Sequence, residues 1–172
     1  MINYFDFYEI PLKFNIDEKS LKVKFYKIAK ENHPDFFIND ENRYRQALSI
    51  SATNNEAYKC LSDFYLRAAY ILKLSDLIFD EKFSSDFLMD MMEINEAVED
   101  LTIDNDYEKL KNLTSEIDKL NENNFTELSS LTGIADNAEK PDEKLLKQIN
   151  ETLQKHKYIL RLKETLANIA PH

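Results

Sequence analysis

"DEKSLKVKFYKIAKENHPDFF", residues 17–37, decides how the N-terminal part of this chain is read. The Asp17 carboxylate can accept from the free N–H groups of a first helical turn, so a helix starts there and runs to about Asn32. At the helical period Leu21, Phe25, Ile28 and Ala29 fall within an arc of about 100°, the face such a helix buries. Lys22, Lys24, Lys27 and Lys30 take the other side. Pro34 stops the helix, because its ring pushes the preceding residue out of α geometry. His33 and Asp35 are thereby displayed just past a helix C-terminus. Such a triplet is either a helix stop with two solvated side chains or a surface that another protein reads. The lysines favour the second reading. Window 17–31 is net positive inside a chain whose formal charge is −10.

Outward from this stretch, a second helix starts near 39–42 and continues through "RQALSISATNNEAYKCLSD". A third follows in "FYLRAAYILKL", and the opening "YFDFYEI" reads as a short helix whose aromatics cover the antiparallel pair. The pattern breaks at "LSDLIFDEK", which sets a boundary: residues 1–74 form one domain, 75–82 a linker, and 83–172 a second domain. In that second part Phe83, Phe87, Met91, Ile94, Val98 and Leu101 make one apolar stripe. Tyr107, Leu110, Leu113, Ile117, Leu120, Leu128 and Leu131 make another, and Leu145, Ile149, Leu153, His156 and Leu160 a third. Gly133 suits the position just past a helix end, and Pro141 with two following acids suits the first turn of the next helix. Short connections between three stripes predict an antiparallel three-helix bundle, so the fold class is all-α.

The chain's 172 residues, 43% of them hydrophobic, can bury one or two small cores. A single glycine rules out the clustered glycines of P-loops and dinucleotide fingerprints, and argues against β-turn-rich folds. The negative charge disfavours duplex nucleic acid and anionic membrane as partners, and no apolar run reaches membrane-spanning length. Cys60, the one cysteine, lies in an apolar helical pattern and reads as a buried structural thiol. No metal or cofactor is expected: the acids between Asp76 and Glu108 lack a Glu-x-x-His pair, and those at 93–100 face outward. A cytoplasmic monomer is the default.

The helix at 85–100, "SDFLMDMMEINEAVED", carries a second unusual feature. With Phe83 at zero, its core stripe spans about 0–80° at the helical period. Leu88, Met89, Met92, Glu93, Glu96 and Asp100 lie at about 140–280°. That is an apolar strip edged with acids on the side that should meet water, and flexible methionines suit an adaptable binding surface. The competing reading is a face covered by the N-terminal domain, or ordinary decorated surface.

The basic helix, "HPD", and a later helix with "NEAY", "LSD", Arg67 and Tyr70 together resemble a J domain over about residues 1–72. "FLMDMMEINEAVED" resembles the first bundle helix of HscB-type co-chaperones of iron–sulfur cluster assembly. The resemblance implies an L-shaped, all-α molecule with two partners. Its J domain would stimulate an HscA/DnaK-type ATPase chaperone through His33, Pro34, Asp35, Lys22, Lys27 and Lys30. Its bundle would hold an IscU-type scaffold protein through Leu88, Met89, Met92, Glu93, Glu96 and Asp100, with Tyr158 of "HKYILRL" contributing. By helical phase Tyr158 points away from Leu160 and the core stripe. The chain would be an ATPase activator with no catalytic residues of its own. It departs from the J-domain pattern at Asn32, where tyrosine is usual, and at Phe36, where lysine is usual. Two alternatives stay open: a J-domain protein of general folding with another client, and an acidic helical enzyme using the carboxylates near Glu93. The absence of a Gly/Phe-rich linker after residue 70 counts against the first.

Overall fold

The computed structural model describes residues 2–75, 77, 83–104 and 106–169, with the side chains of 103 and 104 left aside. The chain separates into two compact units, Met1–Asp76 and Leu77–His172. The linker expected at 75–82, Asp76 included, lies largely outside the described residues.

The N-terminal unit contains α1 (Tyr4–Phe7), α2 (Glu18–Glu31), a 3-10 turn (Pro34–Phe37), α3 (Glu41–Ser62) and α4 (Phe64–Leu74). Each longer helix begins on an aspartate. The Asp17 carboxylate accepts from the N–H groups of Lys19 and Ser20, Asp40 from Arg43, and Asp63 from Leu66. Asp63 also serves as the hinge residue between α3 and α4, since it ends one helix and caps the next.

Phe5, Tyr8, Phe14, Leu21, Ala57, Leu61, Ala68 and Leu72 are buried in this unit, and burial of such surface is the main favourable contribution to its stability. Two polar knots pin the helices. The Tyr8 hydroxyl donates to the Asn54 side-chain oxygen at 2.7 Å, while Asn54 Nδ2 donates to the Phe25 carbonyl at 3.1 Å. Buried Asn54 therefore ties α1, α2 and α3 together. Buried Arg67 donates from Nε to the Phe14 carbonyl at 2.7 Å and from its guanidinium to the Leu61 carbonyl, closing the α2 approach onto α4.

Lys24 departs from the four-lysine face expected of α2. Its Nζ donates to the carbonyls of Tyr8 and Glu9, at 2.7 and 3.3 Å. The reason is angular: Lys24 sits about 40° from Ile28 on the helix, at the edge of the buried arc. It clasps the α1 loop, where Glu9 holds the left-handed φ of 50° that most side chains avoid.

The C-terminal unit contains α5 (Ser85–Asp104), α6 (Tyr107–Asn137) and α7 (Glu143–Ile169), which pack pairwise as three helices. Its core joins Met91, Ile94, Val98 and Leu101 of α5 with Leu113 and Ile117 of α6 and Ile159, Leu162 and Leu166 of α7. Beyond them Leu128, Thr132, Ala135, Ile149 and Leu153 are buried as well, and Asn124 Nδ2 donates to the Thr152 carbonyl at 3.0 Å.

Four details differ from the sequence reading. Gly133 does not end α6; it lies inside it, because Thr132 and Ala135 carry the buried stripe another turn to Asn137. Asp142, not Pro141, opens α7, accepting from the Leu145 N–H at 2.7 Å. Tyr107 is exposed at the first turn of α6 rather than in the core. Leu160 is also largely exposed, and Ile159 takes the core position beside it. His156 is buried on α7, and Cys60 is half-buried, with burial and then Asp63 pushing its thiol up, so it stays protonated at neutral pH.

Candidate functional sites

The first site is the turn after α2. The Asn32 N–H and its side-chain amide both donate to the Ile28 carbonyl at 3.0 Å, which closes the helix. The Ser51 hydroxyl donates to the Asn32 carbonyl at 3.4 Å, fastening this corner to α3. Asparagine at position 32 thus supplies a side-chain cap where a tyrosine would supply a ring, while the tether to Ser51 uses only its backbone carbonyl. His33 takes an extended conformation, as a residue before proline must, and Pro34 opens the 3-10 turn.

Within the turn, the Asp35 N–H donates to His33 Nδ1 at 3.4 Å, and the Phe36 N–H to the His33 carbonyl at 3.1 Å. An imidazole that accepts at Nδ1 carries its proton on Nε2, leaving that N–H as a donor for a partner. Nδ1 also lies 3.6 Å from the Asp35 carboxylate. Both side chains are exposed. The corner therefore presents an imidazole donor and a carboxylate acceptor, with backbone held by proline and the two hydrogen bonds within the turn.

Lys22, Lys27 and Lys30 are exposed on the outer side of α2. Tyr26 and Val23 lie among them and are exposed too. Phe37 is half-buried under the Arg43 guanidinium, whereas Phe36 stands out in solvent, its ring 5.8 Å from that of His33.

The second site is the outer side of α5. Phe87, Met91, Ile94 and Val98, spaced three and four residues apart, share the face that turns into the core, so residues one and two positions along from them are carried to the other side. Leu88, Met89, Met92, Glu93, Glu96 and Asp100 are all exposed on one side of the helix. Tyr158 is not free-standing as helical phase alone implied. It is half-buried against the core, its ring 6.0 Å from Phe87 and 6.5 Å from Phe83, and its hydroxyl lies 2.6 Å from Asn95 Nδ2. The α7 stripe runs through Ile159 and Leu162 rather than Leu160, which brings Tyr158 to its flank. Asn95 sits at about 120° on α5, between the core stripe and the outer strip. Tyr158 thus borders the strip from α7, through Asn95. The sequence reading passed over Asn95, since a lone asparagine on a helix flank carries no periodic signal.

No described helix is long and apolar enough to cross a membrane, and among the described residues no three His, Cys, Asp or Glu side chains group closely enough to hold a metal ion.

A family model described as HSCB C-terminal oligomerisation domain matches residues 83–167. The chain is 37% identical over 122 residues to a co-chaperone protein HscB homolog of Neisseria meningitidis, covering 68% of this chain and 74% of that one. It is 37% identical over 124 residues to the co-chaperone protein HscB of Buchnera aphidicola, covering 69% and 71%. Among solved structures, chaperone HscB from Vibrio cholerae superposes with a TM-score of 0.75 at 25% identity, over 98% of this chain and 97% of that one. The human co-chaperone protein HscB shares the fold, with a TM-score of 0.78 at 23% identity, over 98% and 82%.

Proposed function

The chain belongs to the HscB co-chaperone family, and from that premise we propose that it links an HscA/DnaK-type ATPase chaperone to an IscU-type iron–sulfur scaffold protein. One observation carries the reading. A single chain displays a rigid His33-Pro34-Asp35 corner beside basic residues, and elsewhere an exposed Leu-Met strip edged with acids.

At the first site the Asp35 carboxylate accepts a paired hydrogen bond from a guanidinium of the ATPase, and His33 Nε2 donates beside it. Pro34 fixes the backbone in advance, so little conformational freedom is lost on docking. Lys22, Lys27 and Lys30 steer the encounter with an acidic face, an effect that salt screens. The chain does no chemistry itself; docking raises the partner's rate of ATP hydrolysis, in the cytoplasm.

At the second site Leu88, Met89 and Met92 are the apolar anchors for the scaffold, and Glu93, Glu96 and Asp100 pair with basic groups around its apolar patch. Tyr158 completes the rim. The test is His33→Gln, assayed for stimulation of the chaperone ATPase and for scaffold affinity. Stimulation should vanish while scaffold affinity stays as in the parent chain. Stimulation that survived the change would contradict the assignment.

A further inference from the structure

A shallow groove opens on the N-terminal unit between α2 and the 3-10 turn, lined by Tyr26, Lys27, Lys30, Glu31 and Phe36. Its two aromatic walls face water: Phe36 is 69% exposed and Tyr26 60%. Neither ring belongs to the buried set of Phe5, Tyr8, Phe14 and Leu21, although Tyr26 packs edge-on against Phe25 with ring centroids 5.3 Å apart. Two exposed rings lining one groove offer a partner apolar surface to bury.

We propose that this groove receives an apolar side chain from the ATPase chaperone, flanked on the partner by acidic groups that meet Lys27 and Lys30. This rests on reading the His33–Asp35 corner as the ATPase docking site. Continuity is the first argument. Phe36 belongs to the same 3-10 turn as Pro34 and Asp35, and its ring lies 5.8 Å from that of His33, so a body covering His33 and Asp35 also covers Phe36. Charge selects the occupant. With two lysines and one glutamate on the rim, the groove is net positive in a chain of charge −10. A second copy of this acidic chain is repelled, whereas an acidic partner is attracted.

The chemistry also assigns a role to Phe36, which stands where a lysine would extend the basic face. A lysine at position 36 would add an attraction that salt screens. A phenylalanine substitutes apolar burial, which salt does not weaken. Phe36 and Tyr26 are then specificity residues: they favour a chaperone with a matching apolar side chain and make the complex less sensitive to ionic strength.

The experiment titrates the parent chain, Phe36→Ala, Tyr26→Ala, Phe36→Lys and His33→Gln against the DnaK-type ATPase of the same organism, at low and high KCl, reading the concentration for half-maximal stimulation. Phe36→Ala and Tyr26→Ala should each raise that concentration by about tenfold, the shift that follows from about 1.4 kcal/mol. Phe36→Lys should bind well at low salt and lose affinity more steeply than the parent as salt rises. If His33→Gln abolishes stimulation while both alanine variants stay within about twofold of the parent, the docking site stands and the groove does not contribute. If His33→Gln has no effect, the docking site itself is misassigned and the proposal falls with it. A concentration-dependent rise in mass by light scattering that Phe36→Ala removes would give the groove to a second copy and overturn the proposal.

Discussion

Replacing Leu88, Met89 and Met92 together by alanine tests the scaffold strip with little risk to the fold. These residues are 48%, 62% and 63% exposed, so roughly half to two-thirds of each side chain still faces water and is available for a partner to bury. Full burial of a leucine or methionine side chain is worth about 1.5–3 kcal/mol, so the available portion is worth about 1–2 kcal/mol each. After discounting the methyl that alanine keeps and the non-additivity of neighbouring anchors, the triple change should cost about 3 kcal/mol, on the order of a hundredfold in Kd. Alanine is the best helix former, so α5 should be no less stable, and its core residues Met91, Ile94 and Val98 are untouched. Calorimetric titration of the purified scaffold into parent and variant reads the change directly, with a thermal melt of each as the folding control. A variant that melts like the parent and binds within about threefold of it would refute the reasoning, because the apolar anchors would then carry too little of the interface.

Three further outcomes follow from the geometry. Gly133→Ala should raise the stability of the C-terminal unit by about 0.5–1 kcal/mol, since Gly133 is helical and nothing lies within 4 Å of the added Cβ; a lower melting point would contradict its placement inside α6. Burial, with Tyr58 adding, pushes the Tyr8 phenol above its ordinary value of 10. The unfolded chain then releases this proton before the folded one does, so its contribution is fully present below pH 10 and lost as pH rises further. Tyr8→Phe should flatten the alkaline decline in stability measured by urea unfolding, and an unchanged decline would count against a buried phenol. Arg67→Met should destabilise the N-terminal unit by about 3 kcal/mol, because the Phe14 and Leu61 carbonyls lose a charged donor; a melt unaffected by the change would remove Arg67 as a fastener.

The limits of α2 were legible because Asp17 and Pro34 announce them in single residues, whereas the start of α3 was read only to within 39–42 and the Asp40 and Asp63 caps were not read. The core stripe of α5 was legible because large apolar side chains repeat at the helical period from Phe87 to Leu101. Where polar or small residues fill core positions, that signal fails. Thr132 and Ala135 are buried in α6 yet look like surface, so Gly133 reads as a stop. The α7 stripe was read correctly through Ile149, Leu153 and His156 and missed at its C-terminal end, where adjacent Ile159 and Leu160 are both large and apolar and the buried one is Ile159, which left Tyr158 seemingly free. Lys24 misled for a different reason: a long side chain at the edge of a buried arc can reach inward to backbone carbonyls. The exposure of Phe36 had no sequence signal, since a four-residue 3-10 turn is too short for periodicity to report a face.

The central claim, that one chain couples a chaperone ATPase to a scaffold client through two separate surfaces, is tested most directly by one titration. Scaffold protein is added to this chain and the chaperone while ATP hydrolysis is followed. The two together should stimulate hydrolysis beyond either alone. His33→Gln should remove the stimulation, and the Leu88, Met89 and Met92 triple alanine variant should lose the scaffold-dependent part only. Equal stimulation by parent, His33→Gln and triple variant would contradict the account.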